Sequence, residues 1–411
     1  MPQFLSRIPF SALLIAAVII AISISNGSFV FWNQQQIALI EVAFSLFVLC
    51  GEKFKQIPWS PRYLWAVLWL SLVVLSTFLA RQAIEGSANW DRVFQEAFHL
   101  FFGWSVWRLA CREKTTEMFA NAVATGIIIG ALINLIAIII RWNSLLDPRT
   151  AGWTTMLPLF VNIRHMGYLI SAAVVAQVFV LLRCQKPWAL ISSFVGLVLL
   201  TAFLFWTGGR AVIGGAFLAA IVMMILAKAS ANHIKCVVLA VPLAIALAQY
   251  FVVVDGSLGL FGAWNRSIHA GALDSFLSGR GIIWTDAWYR ILEHPWLGWG
   301  ADGYVAIRPP YAIQGGILHP HNVFVQCLVE WGFLGTGIFI IVCSQFLTPI
   351  MQSLWRIREQ QNYDPALLLG SALAGNLLLL SLTEGILYHG IGTSLLALSC
   401  GLALSARARS L

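Results

Sequence analysis

Apolar residues run through the chain in long blocks separated by short polar stretches. A helix crossing about 30 Å of hydrocarbon needs about 20 apolar residues. Twelve blocks approach that length: roughly 10–29, 36–50, 63–80, 95–110, 118–140, 166–182, 188–206, 211–227, 234–254, 323–349, 366–383 and 390–406. The block at 95–110 is the weakest, because His99 and Gly103 interrupt it. The pattern predicts an all-α, polytopic membrane protein of about 12 transmembrane helices, forming a single transmembrane domain over 1–411. Two connecting segments are long, 141–165 and 255–322. The second, between the ninth and tenth blocks, has room for a loop subdomain. Within it Ile283, Ala287 and Ile291, and Trp284, Trp288 and Leu292, recur at helical spacing with Asp286, Arg290 and Glu293 between them. That alternation predicts a helix lying on the membrane surface.

Composition agrees. Hydrophobic residues make up 59% of the 411 and charged residues only 10%, against roughly 25% charged in an ordinary soluble domain. A soluble fold of this length could not cover its surface with so few polar groups. The 18 Trp and 26 Phe suit a chain that needs interfacial anchors. A net charge of +8 raises the question of nucleic acid. The basic residues, however, are dispersed between apolar blocks, which excludes a basic domain and marks topology instead. With the N-terminus in the cytoplasm, the cytoplasmic segments hold every lysine: Lys53, Lys55, Lys114, Lys186, Lys228 and Lys235. The basic residues left outside are all arginines, whose planar fork binds phosphate bidentately where lysine offers only a point charge. Pairing with Asp or Glu, or seating at the headgroups, accounts for such arginines equally well. The first block could be a secretory signal, but no small-x-small cleavage site follows it, so it is read as the first membrane helix. All seven cysteines lie in or beside apolar blocks without CxxC spacing, which argues against a disulfide framework.

Chemistry concentrates in the outer segments. His321-Asn322 is followed after nine residues by Gly332-Phe333-Leu334-Gly335. This sets an imidazole at the mouth of the tenth helix, where it could act as a general base or simply cap the helix. The two glycines are expected to let another helix approach closely. Upstream stand Gly208-Gly209-Arg210, Ser278-Gly279-Arg280 with Trp284, and His294-Pro295-Trp296-Leu297-Gly298-Trp299-Gly300. Together these elements resemble the motifs of the O-antigen ligase and polymerase family of membrane glycosyltransferases. They cover roughly residues 195–340, while the topology resembles the family over the whole chain.

The resemblance implies a GT-C-like fold with its large periplasmic loop between helices 9 and 10. It implies that Arg210 and Arg280 bind the pyrophosphate of an undecaprenyl-linked glycan donor, and that His321 activates or orients the hydroxyl of a lipid A-core or glycan acceptor. Asn162-Ile163-Arg164-His165 is a second outer basic cluster, in which Arg164 is expected to assist the phosphate and His165 to support it. Asn322, Glu384 and His389 are further supporting candidates; the last two are ionisable groups near the membrane, and mutual hydrogen bonding explains them equally well. Glu41, inside an apolar block, is read as the partner of a buried polar group. His319-x-His321 lacks a third and fourth ligand for a metal. With no acidic cluster in the outer loops, neither metal nor cofactor is expected. A salt bridge between Asp302 and Arg308 is possible.

The expected activity is therefore metal-independent, inverting glycan transfer at the periplasmic face of a bacterial inner membrane, with lipid-linked glycan, acceptor and membrane lipids as partners and no nucleic acid. Ligation to lipid A-core is the first choice, since the HN-x9-GxxG match is complete. Polymerisation of lipid-linked repeats is the first alternative. Protein O-glycosylation is less expected because the chain ends soon after its last helix. Transport of a solute or lipid-linked sugar is the alternative of another class; it calls for charges through the midplane, which the inner halves of these helices almost lack.

Overall fold

A computed structural model describes residues 9–25, 33–51, 61–83, 89–112, 116–154, 157–251, 258–268, 280–360 and 363–407. Ser278, Gly279, Asp255 and Asp274, and the topological residues Arg7, Lys53, Lys55, Lys114 and Arg409, lie outside them. The described residues are helical, without a β-strand. In chain order the helices are α1 (Phe10–Ile24), α2 (Asn33–Cys50), α3 (Pro61–Ala83), α4 (Trp90–Arg112), α5 (Thr116–Ser144), α6 (Ile163–Leu182), α7 (Pro187–Thr207), α8 (Arg210–Leu226) and α9 (Ala231–Tyr250). Then come α10 (Gly259–Ile268), α11 (Arg280–Glu293), α12 (Gly303–Ile307), α13 (Pro310–Gln314), α14 (Val323–Gln360), α15 (Pro365–Ser381), a 3-10 turn (Ile386–Tyr388) and α16 (Gly390–Arg407).

Six of these helices are long and apolar enough to cross a membrane, and five shorter apolar helices accompany them. The chain is a multi-pass membrane protein. Helix α4 belongs to neither group, because Arg92, Gln95, Glu96 and His99 make it too polar; it is nonetheless a continuous 23-residue helix. Its apparent interruptions are packing devices. His99 Nδ1 lies 2.7 Å from Glu41 Oε2, and Glu41 Oε1 accepts from Ser394 Oγ at 2.5 Å, so Glu41 does partner a buried polar group. Gly103 lets α4 pack on the backbone of Ala397 in α16.

Helix α6 is buried along nearly its whole length, as expected of a helix apolar on every side at the centre of a bundle. It packs on α5, α7, α8 and α15. Buried amides tie the helices together: Asn134 Nδ2 donates to Ser23 O (3.1 Å), Gln177 Nε2 to Ser193 Oγ (2.8 Å) and Asn376 Nδ2 to Ser171 Oγ (3.0 Å). Without water to compete, such bonds hold membrane helices together. On the periphery, α3, α8 and α9 expose Leu64, Val67, Phe78, Ile225, Val238 and Leu239. In water these would be a large apolar patch; in a bilayer they form the lipid-facing surface.

Two expectations are corrected. Gly332 and Gly335 do not form a seam for another helix. Gly332 sits inside α14 at φ 62°, ψ −169°, and breaks it. The break leaves backbone groups without intrahelical partners, and the loop 295–300 supplies them. Trp299 N donates to Val329 O (2.8 Å), Gly300 N to Glu330 O (2.8 Å), Phe333 N to Pro295 O (2.7 Å) and Leu334 N to Trp296 O (3.1 Å). A Cβ on Gly332 would lie 2.5 Å from Trp296 O and 2.6 Å from Leu297 N, so only glycine fits. The two glycine-rich motifs are thus halves of one backbone interlock. Helix α3 secures it: Ser76 Oγ reaches Glu330 O (2.9 Å) and Thr77 Oγ1 accepts from Ala301 N (3.0 Å). Secondly, Asp302 and Arg308 are not paired with each other. Asp302 Oδ2 accepts from Asn89 Nδ2 (2.5 Å), and Arg308 Nη1 donates to Ile317 O (3.0 Å).

Within 255–322 the described residues form four short helices. In α11, Ile283, Ala287 and Ile291 face inward, while Trp288, Tyr289 and Leu292 are exposed, giving the amphipathic character expected.

Candidate functional site

Three helices begin at one place with an arginine in the first turn. Helix α6 starts after Asn162, whose Oδ1 caps it by accepting from Arg164 N at 2.8 Å. Helix α8 starts at Arg210, after the left-handed Gly208 (φ 64°). A Cβ on Gly208 would meet Gly259 N at 2.8 Å, so the corner between α7 and α8 admits α10 only because no side chain intervenes. Arg266 Nη2 then donates to Gly208 O at 2.6 Å. Helix α11 starts at Arg280. Arg164 and Glu384 line one cleft together with Tyr168, Thr207 and the Gly209 and Ala211 that flank Arg210.

Glu384 is the hub. Its Oε1 accepts from Arg280 Nη2 at 2.7 Å, and its Oε2 lies 3.6 Å from His321 Nδ1, an ion-pair distance rather than a hydrogen bond. Each of these three side chains is 12–16% exposed. Burial pushes the Glu384 carboxyl up, but His321, Arg280 and Arg164 outweigh burial and hold it below the usual carboxylate range. Glu384 therefore pairs with Arg280 and His321 rather than with His389. Helix α11 is locked to the His321 segment by Trp284 Nε1, which donates to Pro320 O at 2.8 Å.

His321 precedes α14 in the left-handed region (φ 55°), which few non-glycine residues adopt. Its neighbours hold it there. His321 N donates to His319 Nδ1 at 3.2 Å, so that nitrogen of His319 is an acceptor. Asn322 caps α14: its Oδ1 accepts from Phe324 N (2.9 Å) and Val325 N (3.1 Å), while its Nδ2 donates to Leu382 O at 2.9 Å, beside Glu384. The His-Asn pair is thus one residue aimed and one residue anchoring. His319 is buried, with its ring 5.0 Å from those of Tyr388 and His389. Burial and the neighbouring histidines push His319 well below its ordinary value of 6.5. The His165 and His389 rings touch at a tilt of 38°, their centroids 3.6 Å apart, which ties the start of α6 to the 384–389 turn.

The structure thus brings Arg164, His165, Arg280, His321, Asn322, Glu384 and His389 together. Arg210 stands at the same corner with its Nη1 directed to Ser267 Oγ at 3.4 Å. Among the described residues, no three His, Cys, Asp or Glu side chains could hold a metal ion.

Arg92 was missed in the sequence. Its buried guanidinium pairs with Glu96 (2.7 Å), donates to Leu387 O and lies over the Tyr388 ring (5.8 Å), clamping the turn that carries Glu384 and His389. The signal was present: Arg92 and Glu96 stand one helical turn apart beside an apolar block.

Cationic side chains at helix N-termini are disfavoured, since each terminus already carries about half a positive charge. Several such termini around one cleft, with Glu384 as the acidic lining residue, make a site complementary to an anion. Residues 195–340 match the family model described as O-antigen ligase, a stretch that encloses Arg210, Arg280, His321 and both glycine motifs. No curated protein matched the chain. The matched segment, with the motifs it contains, supports assigning the chain to the O-antigen ligase-related family.

Proposed function

We propose that the protein is a GT-C-type glycosyltransferase of the bacterial inner membrane. It transfers a glycan from undecaprenyl pyrophosphate to an acceptor hydroxyl at the periplasmic face, without a metal, and ligation to lipid A-core is the preferred reading. The observation that carries it is the Arg280–Glu384–His321 chain at a cleft ringed by arginine-bearing helix N-termini.

The donor pyrophosphate sits against Arg164, Arg210 and Arg280 and the N-termini of α6 and α8. His321 Nδ1 faces Glu384, which leaves Nε2 for the acceptor. As the acceptor oxygen bonds to the anomeric carbon, its proton passes to Nε2. The bond from that carbon to the pyrophosphate oxygen breaks, and the electron pair leaves with the pyrophosphate. Fixed guanidinium groups stabilise the charge that builds there. Glu384 stabilises the imidazolium, as the carboxylate does in other base–carboxylate pairs. A single displacement of this kind inverts the anomeric centre. The same cationic groups lie at one end of the bundle, in a loop and at helix starts, which favours a surface reaction over a transport path.

The test is single-turnover transfer in proteoliposomes with a lipid-linked donor. His321→Ala abolishes transfer and leaves donor affinity intact, whereas His319→Ala is milder. Loss of donor affinity in His321→Ala with a normal rate at saturation would remove the base role. Deletion in the cell separates ligase from polymerase: retained lipid-linked polymer with no glycan on lipid A indicates a ligase, and single capped repeats indicate a polymerase.

A further inference from the structure

A second cavity lies at the opposite end of α6. Helix α6 carries Arg164 in its first turn and Arg183 as its C-cap. Its 20 residues span roughly 30 Å at about 1.5 Å per residue, so the two ends belong to opposite membrane faces. The cavity, of about 430 Å³, opens where α5 and the turn between α6 and α7 meet. Arg183 and Lys186 stand at its mouth, and Val180 and Ala189 form apolar wall. Glu117, Asn121 and Thr125 line it from α5.

Two features set it apart from an ordinary polar rim. First, Glu117, Asn121 and Thr125 follow one another at four-residue spacing, so they form a polar stripe climbing two turns along one face of a membrane-spanning helix. The rest of that helix is largely apolar. Asn121 and Thr125 make no side-chain hydrogen bond to another described residue. Polar groups at that depth need a partner, and the cavity is where one would sit. Secondly, Arg183 is pre-organised. Its guanidinium lies 5.4 Å from the Phe179 ring centre, Cys184 Sγ sits within reach of Val180 O and Ala189 O in the backbone beneath it, and Glu117 occupies part of its donor set as an internal competitor. One ion pair uses only part of a guanidinium's five N–H donors. Against the single Glu117 carboxylate stand two cations, Arg183 and Lys186, leaving a net positive mouth.

We infer that this cavity binds the headgroup of an anionic phospholipid from the leaflet opposite the proposed catalytic cleft. The phosphate accepts from Arg183 and Lys186, the hydroxyl and ester oxygens of headgroup and glycerol meet Asn121 and Thr125, and the acyl chains leave over Val180 and Ala189. Basic pockets between membrane helices on the cytoplasmic side suit such headgroups. A free phosphate would satisfy the cations alone; the stripe reaching into the bilayer is what favours a lipid. The inference does not depend on the transferase reading, since no residue of the cleft takes part.

The experiment is native mass spectrometry of the full chain, delipidated in detergent and re-exposed to phosphatidylglycerol or phosphatidylcholine, with inorganic phosphate as competitor. The wild type retains phosphatidylglycerol in preference to phosphatidylcholine, and millimolar phosphate does not displace it. Arg183→Gln with Lys186→Gln lowers retention at least fivefold. Glu117→Gln, which removes the competing carboxylate, raises it. A general folding defect would lower retention in both variants, so the opposite signs are diagnostic. Equal retention of the two lipids, displacement by phosphate, or a loss in Glu117→Gln as large as in the double variant would each overturn the site.

Discussion

Glu384→Gln isolates the carboxylate's charge while keeping its size. In the resting site the carboxylate faces the His321 imidazole at 3.6 Å. Once His321 takes the acceptor's proton, a full positive charge stands at that distance. At an effective dielectric of about 20, such a pair is worth about 4–5 kcal/mol. Glutamine keeps a dipole in the same place, so we expect about 2–3 kcal/mol to be lost, or roughly 30–150-fold in rate. The loss falls on the transition state, because the imidazolium exists only there. Donor binding moves the other way. Arg280 Nη2, now held by Glu384 Oε1 at 2.7 Å, loses its internal competitor, so the donor binds as tightly or more tightly. The assay is single-turnover transfer in proteoliposomes at saturating labelled donor, with donor affinity measured separately by fluorescence. Thermal unfolding in detergent checks that the variant folds. An unchanged single-turnover rate, or weakened donor binding with a normal rate, would refute the reasoning.

Four further outcomes are expected. Gly332→Ala forces a side chain into the Trp296–Leu297 backbone at a positive φ and should destabilise the fold by about 2 kcal/mol or more; a wild-type melting temperature would count against the interlock. Arg280→Lys should lose much of the transfer activity and Arg280→Ala more, since a point charge cannot reproduce the fork; kinetics equal to wild type in both would place the pyrophosphate elsewhere. His319 and His389 are held well below 6.5, chiefly by burial, so the unfolded chain binds more protons than the fold as pH falls past that value. Stability is therefore full above about pH 6.5 and declines below it, and melting curves from pH 8 to 5 should show that slope, flattened in His389→Gln. Lastly, a cysteine placed at the exposed Gln314, in a background without native cysteines, should label from the outer side of intact spheroplasts; protection there would invert the topology.

Local chemistry was legible in the sequence because it is local. Apolar runs of membrane length dictated helices, since a backbone in hydrocarbon must satisfy its own hydrogen bonds. The spacing of Ile283, Ala287 and Ile291 marked a helix with one buried face. The motif residues Arg280 and His321 were recognisable, as was the likelihood that Glu41 answered a buried polar group.

What depended on residues distant in the chain was not legible. Arg280 and Glu384 stand 104 positions apart, and nothing between them announces that one carboxylate joins that arginine to His321. Arg92 drew no notice in the sequence, because only the packing of α4 sets it against the Leu387 carbonyl. The glycines of the GxxG motif were seen, but their purpose was misread. A glycine that admits a neighbouring helix and one that breaks its own helix look alike in sequence; they differ only in φ, and here the loop at 295–300 fills the break. Sequence set which segments enter the membrane and which side chains could do chemistry. Tertiary packing decided which of those side chains share a site, because three helix starts and one turn meet only when the bundle closes around α6.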